Sequence, residues 1–591
     1  MIVYGETDRP ADPRALLSEA AQRWRLLSKR LFSRHDALRG ELIELGDIEA
    51  AVGDALCPEV DRIDPRLREL RRVSIAFGGL FWRSWRDIPA ASRQTDLGAL
   101  ASALDALARH AWPAEVRLRP AEGYAHYALY PEGYGEAAAG LATERAAASV
   151  LVVGIRSIGT SLSAVVGGAL TEAGVAVESW CVRPRGHPFS RALALAPGLH
   201  AAWAASARAG ALAVVVDEGP GLSGSSFLSA RQALQRAGFP DSRIVLMPSW
   251  DAPAPPMAEE AAAHAWTHAL KRPARFDPAR RLLGARDIQD LSAGRWRSHL
   301  LVGRTWPAVQ RQHERLKFLD RQEDGSPRLW RFAGLGSYGA PRLARARALA
   351  EAGFIPAQHG LRDGFLEYSF VAGRPLRRKD LDLRLAQRVI AYLAFRARSF
   401  QTGRPARIAE LSNMIRINLR EGLGLPVHGA VERMLAEAAP LSDAPTVAVD
   451  SRMMPHEWIA ARSGVLKADA IDHADDHFFP RDQDIAWDIA GFAAEFGLSE
   501  SRETELAAAL ASAVGDDSLP HRVPFYAVAY RAFHLGYAQM AISALGAEDP
   551  DAVRFRRRGA RMAQELRARF ASALPAKSPS LISGHSFPLR S

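Results

Sequence analysis

Cysteine is scarce in this chain. Cys57 and Cys181 are the only two among 591 residues, far apart and in no CxxC pair, which excludes a disulfide framework and a cysteine-built zinc site. Long apolar runs are missing too: nothing approaches the roughly eighteen consecutive apolar residues that a membrane-crossing helix needs. The opening residues, Met1 to Pro10, lack a basic segment leading into an apolar one, so a cytoplasmic location is expected. The formal charge of +10 suits anionic small substrates. Its basic residues, however, are overwhelmingly arginine, spread along the chain and interleaved with acids, so a nucleic-acid partner is not expected.

What remains is an ordinary soluble composition, 48% hydrophobic and 24% charged, in a chain too long for one hydrophobic core. Residues 11–112 repeat apolar positions at three- and four-residue steps, as in Pro13–Leu27 and Leu97–Ala108, the signature of amphipathic helices. No catalytic constellation falls there, and residues 1–112 are expected to form a helical extension.

The most informative stretch is Ala213-Val-Val-Val-Asp-Glu-Gly-Pro-Gly-Leu-Ser-Gly-Ser-Ser-Phe227. A buried strand ends on Asp217 and Glu218, and a Gly- and Ser-rich loop then enters a helix. Backbone N–H groups at such a helix start converge on an anion. Ser223, Ser225 and Ser226 add hydroxyl donors around Gly224 for a phosphate monoester, while the two acids suit sugar hydroxyls or hydrated Mg²⁺. Earlier, Ser149-Val-Leu-Val-Val-Gly-Ile-Arg-Ser-Ile-Gly-Thr160 repeats the logic of strand, Gly-bearing loop and helix start. Between the two, Arg183, Arg185, His187 and Arg191 form a basic loop.

These residues resemble type I phosphoribosyltransferases. Ser223-Gly-Ser-Ser226 stands for the family's Thr-Gly-x-Thr, and Asp217-Glu218 for its acid pair. The spacer Gly219–Leu222 is one residue longer than usual. Either the loop bulges, or Glu218 and Gly219 occupy the two acid positions. The resemblance makes the loop Gly154, Arg156, Ser157, Gly159, Thr160 the pyrophosphate loop, with Arg156 on the diphosphate and Arg183 and Arg185 in a mobile cover. It implies an α/β domain with a parallel sheet over residues 113–255, using Mg²⁺ and phosphoribosyl pyrophosphate with an unknown acceptor. The aromatic segment Glu122–Tyr134 is either a hood over that acceptor or plain packing. The run Asp251-Ala-Pro-Ala-Pro-Pro256 marks a boundary, and residues 256–297 read as a linker.

Residues 298–575 resemble the aminoglycoside-phosphotransferase branch of the protein-kinase-like fold, a two-lobed α+β domain. Tyr368-Ser-Phe-Val-Ala-Gly-Arg-Pro-Leu376 is similar to the hinge. Ala470-Ile-Asp-His473 is similar to the metal-binding motif, and Asp484-Ile-Ala-Trp-Asp-Ile-Ala490 to the stretch that follows it. The resemblance implies ATP and Mg²⁺, with Asp472 on the metal, Asp488 bracing the catalytic loop and Asp450 orienting an acceptor hydroxyl. The loop departs from the pattern: no His-Gly precedes Asp450, and Pro455 stands where Asn is usual. His456 or Glu457 is then the second metal contact. Arg331 takes the place of the nucleotide-binding lysine, with Lys317 as the alternative. His473 and His477 with their flanking acids would bind a transition metal only on a helix. Residues 576–591 read as a loose tail.

Two functions follow: a bifunctional transferase of phosphoribosyl and phosphoryl groups, or a nucleotide- or phosphosugar-sensing regulator with a pseudokinase domain.

Overall fold

The computed structural model describes residues 8–29, 35–86, 90–145, 147–221, 223–250, 260–284, 288–301, 305–322, 324–424 and 429–570. Leu222, the boundary at Asp251–Pro256 and the tail lie outside the described residues. The chain forms two compact units. One holds Glu6–Arg286 together with Gly334–Ala340, and the other holds Asp287–Ala333 and Pro341 onward.

The N-terminal unit is built on Ser149–Ile155, Ala176–Val182, Leu212–Val216, Ile244–Met247 and Leu270–Lys271, paired in parallel throughout. Val150–Val153 and Val214–Val216 are buried, as expected of β-branched residues in a parallel sheet covered on both faces. Numbered along the chain, the strands lie in the order 2-1-3-4-5. The order therefore reverses between Ser149–Ile155 and Leu212–Val216, and an open sheet binds ligands beyond the carboxyl ends of its strands at such a switch point.

The helices of residues 13–108 are part of this unit, sharing a core with Ala164 and Val165 of the helix Ile158–Glu172. Pro65–Trp85 starts with Asp64 as its N-cap, accepting the Arg66 N–H, and Pro65 in the first turn, an arrangement that satisfies a free donor. It meets Ile158–Glu172 through glycines. A Cβ on Gly78 would sit 2.2 Å from the Ala164 carbonyl oxygen, and one on Gly168 2.1 Å from the Gly79 nitrogen. The two backbones approach so closely that no side chain fits between them.

The C-terminal unit starts with an antiparallel sheet, in the order Gln289–Asp290, Lys317–Arg321, Pro327–Phe332, Phe365–Ser369 and Gln358–Arg362. The helix Gly339–Glu351 links its third and fourth strands along the chain. The remainder is mostly helical: Leu383–Ser399, Ile408–Leu423, Ala486–Phe496, Glu500–Val514, Leu519–Leu545 and Pro550–Arg569. A small sheet of Arg374–Pro375, Trp458–Ala461 and Gly464–Lys467 accompanies them. Trp458, Trp487, Tyr392 and Phe533 are fully buried in the core. Among the described residues, no helix is long and apolar enough to cross a membrane.

Candidate functional sites

In the C-terminal unit, Asp450 follows the buried run Val447–Val449 and is itself 1% exposed. Its backbone N–H donates to Asp488 Oδ2 at 2.7 Å, and the Ser451 N–H donates to Oδ1 of the same carboxylate at 2.8 Å. Lys467, 0% exposed, places Nζ 3.3 Å from Asp450 Oδ2 and 3.1 Å from Glu457 Oε2. The Tyr392 hydroxyl also donates to the Asp450 carboxylate, and Arg396 donates to that hydroxyl at 2.9 Å. Burial alone would push the Asp450 carboxyl up, but Lys467 and His473 beside it hold it well below the usual carboxylate range. Asp488 moves the other way, raised by burial and by the negative charge of Asp450.

Asp472 lies next to this group. Its Oδ1 accepts from Arg331 Nη2 at 2.7 Å, and its Oδ2 from Arg315 Nε at 3.3 Å. The same Arg331 nitrogen donates to Asp469. Despite burial, these guanidinium groups hold Asp472 far below its ordinary pKa, and Arg331 with Lys317 does so for Asp469. Asp469, Asp472 and His473 present ligand atoms within 4.8 Å of one another, the grouping suited to a metal ion among the described residues. Two carboxylates are the hard oxygen donors that Mg²⁺ prefers, so the residues present fit that ion.

His456 is not part of this cluster. Its ring stacks on Trp296 at 5.6 Å and 13°, and loss of water together with Arg452 lowers its pKa to about 3. Glu457 faces Lys467 and Arg452. Residues 473–475 form a single 3-10 turn, so His473 and His477 do not share a helical face. His473 lies 3.0 Å from the Asp450 carbonyl oxygen, while His477 packs on Phe478. Lys317 lies 3.4 Å from Glu314. Sequence reasoning missed Lys467 and Asp469. Lys467 ends the strand Gly464–Lys467, and Asp469 follows in the left-handed region at φ +55, a turn that no local periodicity marks.

In the N-terminal unit, Gly154 and Val216 are register partners on neighbouring strands, so the loops that follow them share the switch point. A Cβ on Gly159 would sit 2.6 Å from the Val216 carbonyl oxygen and 3.4 Å from Asp217 Oδ1. Glu218 rests against Gly123, where a Cβ would be 2.9 Å from Oε2. The Tyr134 hydroxyl donates to the Asp217 carbonyl at 2.8 Å. Removal from water pushes Asp217 up to about 7, and removal from water with Asp217's charge pushes Glu218 to about 8. Ser157 takes φ +122 at the entry to Ile158–Glu172, a conformation a side chain rarely adopts. Thr160 is fully buried.

Gly224, at φ +66, is the N-cap of Ser225–Arg236. Ser223 and Ser225 hydroxyls donate to the Pro188 carbonyl at 2.6 and 2.7 Å, and Arg191 donates to Ser226 at 2.9 Å. The hairpin of residues 185–192 therefore engages the serine loop.

Arg156 differs most from expectation. It is 2% exposed, and its guanidinium pairs with Asp54 at 2.9 Å and with Asp61. Arg183 pairs with Asp54 and Arg185 with Asp61. Two carboxylates from outside the sheet hold the three arginines that sequence assigns to the diphosphate. A buried guanidinium needs a counter-charge, and Gly53 leaves the room for Arg156: a Cβ there would be 2.8 Å from Nε.

No protein-family model matches the chain, and no curated protein does. Solved structures similar to it include a choline/ethanolamine kinase family protein from Mesorhizobium loti, 17% identical with a TM-score of 0.31. That match covers 46% of this chain and 94% of that one. An ethanolamine kinase of Plasmodium vivax is 10% identical with a TM-score of 0.32, over 47% and 82% of the two chains. A macrolide 2′-phosphotransferase of Brachybacterium faecium is 16% identical with a TM-score of 0.28, over 42% and 89%. At these scores the functional argument rests on the site geometry, not on the likeness.

Proposed function

We propose that the C-terminal unit is a kinase-like phosphotransferase that moves a phosphoryl group from ATP to a hydroxyl of a small molecule. The supporting observation is an ionised, immobilised Asp450, braced by Asp488 and set among Lys467, Asp469 and Asp472. A carboxylate in that state can accept or orient a hydroxyl proton, and positioning with charge stabilisation is most of what phosphoryl transfer requires. Asp469 and Asp472 would hold Mg²⁺, which when bound neutralises phosphate charge. Lys467 places its positive charge beside Asp450, and Arg331 beside Asp469 and Asp472. The test is ATP consumption against a panel of amino-alcohols, sugars and hydroxylated antibiotics. Turnover that Asp450→Asn abolishes supports the reading; none with any acceptor, and no ATP binding, points to a pseudokinase.

A second reading concerns the N-terminal unit, supported by loops 154–160 and 217–226 meeting at the switch point of a parallel sheet. It takes phosphoribosyl pyrophosphate with Mg²⁺, the serine loop on the 5′-phosphate and the acids toward the ribose and metal. Among the described residues neither Asp217 nor Glu218 makes a salt bridge, and Arg183 and Arg191 offset only part of the burial that raises Asp217; two such carboxylates are the donor set a hard cation suits. A calorimetric titration with phosphoribosyl pyrophosphate and Mg²⁺ tests it. Binding lost in Gly224→Glu supports the reading. Binding without diphosphate release, whatever the acceptor, favours a sensor of phosphosugars.

A further inference from the structure

The N-terminal unit contains a concavity that no residue of the serine loop lines. It lies between the start of the helix Pro65–Trp85 and Ala176–Val182, the edge strand of the parallel sheet. Its volume is about 410 Å³, within the range of pockets that hold small ligands. Five arginines (62, 68, 71, 72 and 156) line it against three carboxylates (49, 61 and 178).

Each carboxylate is already engaged. Glu49 pairs with Arg71, Asp61 with Arg156 and Arg185, and Glu178 accepts from the Trp180 indole at 3.0 Å and the Ser206 hydroxyl at 2.6 Å. Three arginines remain. Arg62 and Arg72 are exposed, and Arg68 stacks over the Trp180 ring at 4.6 Å. Among the described residues no carboxylate pairs with any of the three. Arg68, Arg71 and Arg72 fall at the three- and four-residue spacing that puts side chains on one helix face. Arg71 is 4% exposed and fixed to Ser163 at 2.6 Å and the Thr160 carbonyl at 2.9 Å, so the floor of the cavity is rigid.

We infer that this cavity is a binding site for a phosphorylated small molecule, with Arg62, Arg68 and Arg72 as its anion contacts. Guanidinium groups grip phosphate oxygens in pairs, and three converging on one concavity leave an excess of positive charge for a polyanion to neutralise. The inference uses neither the serine loop nor the C-terminal unit, and it shares only Arg156 and the Thr160 carbonyl with the loop 154–160 of the second reading.

The test uses the full chain with inorganic diphosphate as probe, followed by hydrogen–deuterium exchange. Protection is expected in peptides spanning residues 62–75 and 176–181. The double variant Arg62→Glu, Arg72→Glu, both at exposed positions, should remove that protection and weaken binding at this site by at least about tenfold. Protection around residues 223–226, if present, should persist. Absence of protection at 62–75 in the parent protein overturns the inference. So does protection that survives in a double variant with an unchanged circular dichroism melt. Arg68→Ala serves as the second variant and should also weaken the probe.

Discussion

Asp488 accepts the backbone N–H of Ser451 at 2.8 Å, and Ser451 sits in the left-handed region at φ +64. One carboxylate thus fixes a backbone conformation that a non-glycine residue resists, at the position directly after Asp450. Asp488→Ala should strand two buried N–H donors at about 1–3 kcal/mol each. Turnover should fall further than that loss of stability explains, because Asp450 loses its aim. Denaturant unfolding beside kinetics at a temperature where both proteins are folded separates the two effects.

Asp450 and Asp472 should fail differently. Asp450→Asn is expected to nearly abolish turnover with ATP affinity held within a few-fold. Asp472→Asn should weaken Mg·ATP binding itself, because it removes a hard oxygen donor from the cluster with Asp469 and His473. Isothermal titration of both variants decides; equal loss of ATP affinity in the two would contradict the assigned roles.

Lys467 is the foremost of the charges that hold Asp450 below its ordinary range. Lys467→Met should therefore raise the Asp450 pKa and move the acidic limb of the pH–kcat profile upward. A variant that merely misfolds would lower activity at every pH without moving that limb.

The Asp217 and Glu218 pair predicts a pH dependence of stability. Their pKa values rise from 3.8 and 4.5 in the free acids to about 7 and about 8 in the folded protein. Below the unfolded values both states are protonated and nothing is lost. As pH climbs, the unfolded chain ionises first, so stability falls from near pH 4 until the folded pKa values are passed. Asp217→Asn, Glu218→Gln should flatten that decline in denaturant midpoints. Mg²⁺ should offset it above neutrality in the parent protein but not in the double variant.

The glycine crossing predicts a purely structural failure. Gly168→Leu forces a side chain against the Gly79 backbone, and should cost at least about 1–3 kcal/mol. Gly98→Ala, with nothing within 4 Å of its Cβ position, should cost nothing measurable in the same melt.

Local signals were legible and distant ones were not. The valine runs with their Gly- and Ser-bearing loops could be read as strand, turn and helix because both hydrophobic period and turn chemistry lie within a few residues. Their meeting at adjacent strand ends follows from the strand order. The partners of Arg156 could not be read: Asp54 and Asp61 lie 102 and 95 residues away, and neither carries a local mark. The carboxylate cluster of the C-terminal unit divides the same way. Asp472 is visible from its motif, whereas loop spacing points to His456, whose ring stacks on Trp296 instead.

The seven residues Gly334–Ala340 leave one unit for the other and come back. Within the N-terminal unit the Tyr338 hydroxyl donates to Asp47 at 3.1 Å and accepts the Ala121 N–H at 2.9 Å, while the Leu335 N–H reaches the Tyr124 carbonyl at 3.0 Å. On one side of this excursion stands the strand that carries Arg331, and on the other the helix that carries Arg342 and Arg345, both bound to Asp475. A cut near residue 286 therefore takes Gly334–Ala340 away from the unit it belongs to. A fragment ending near residue 286 would lack the tyrosine that satisfies Asp47 and Ala121, and the complementary fragment would carry that tyrosine as an orphan loop. Any history in which two separate genes were simply joined end to end must also explain how one came to hold a piece of the other.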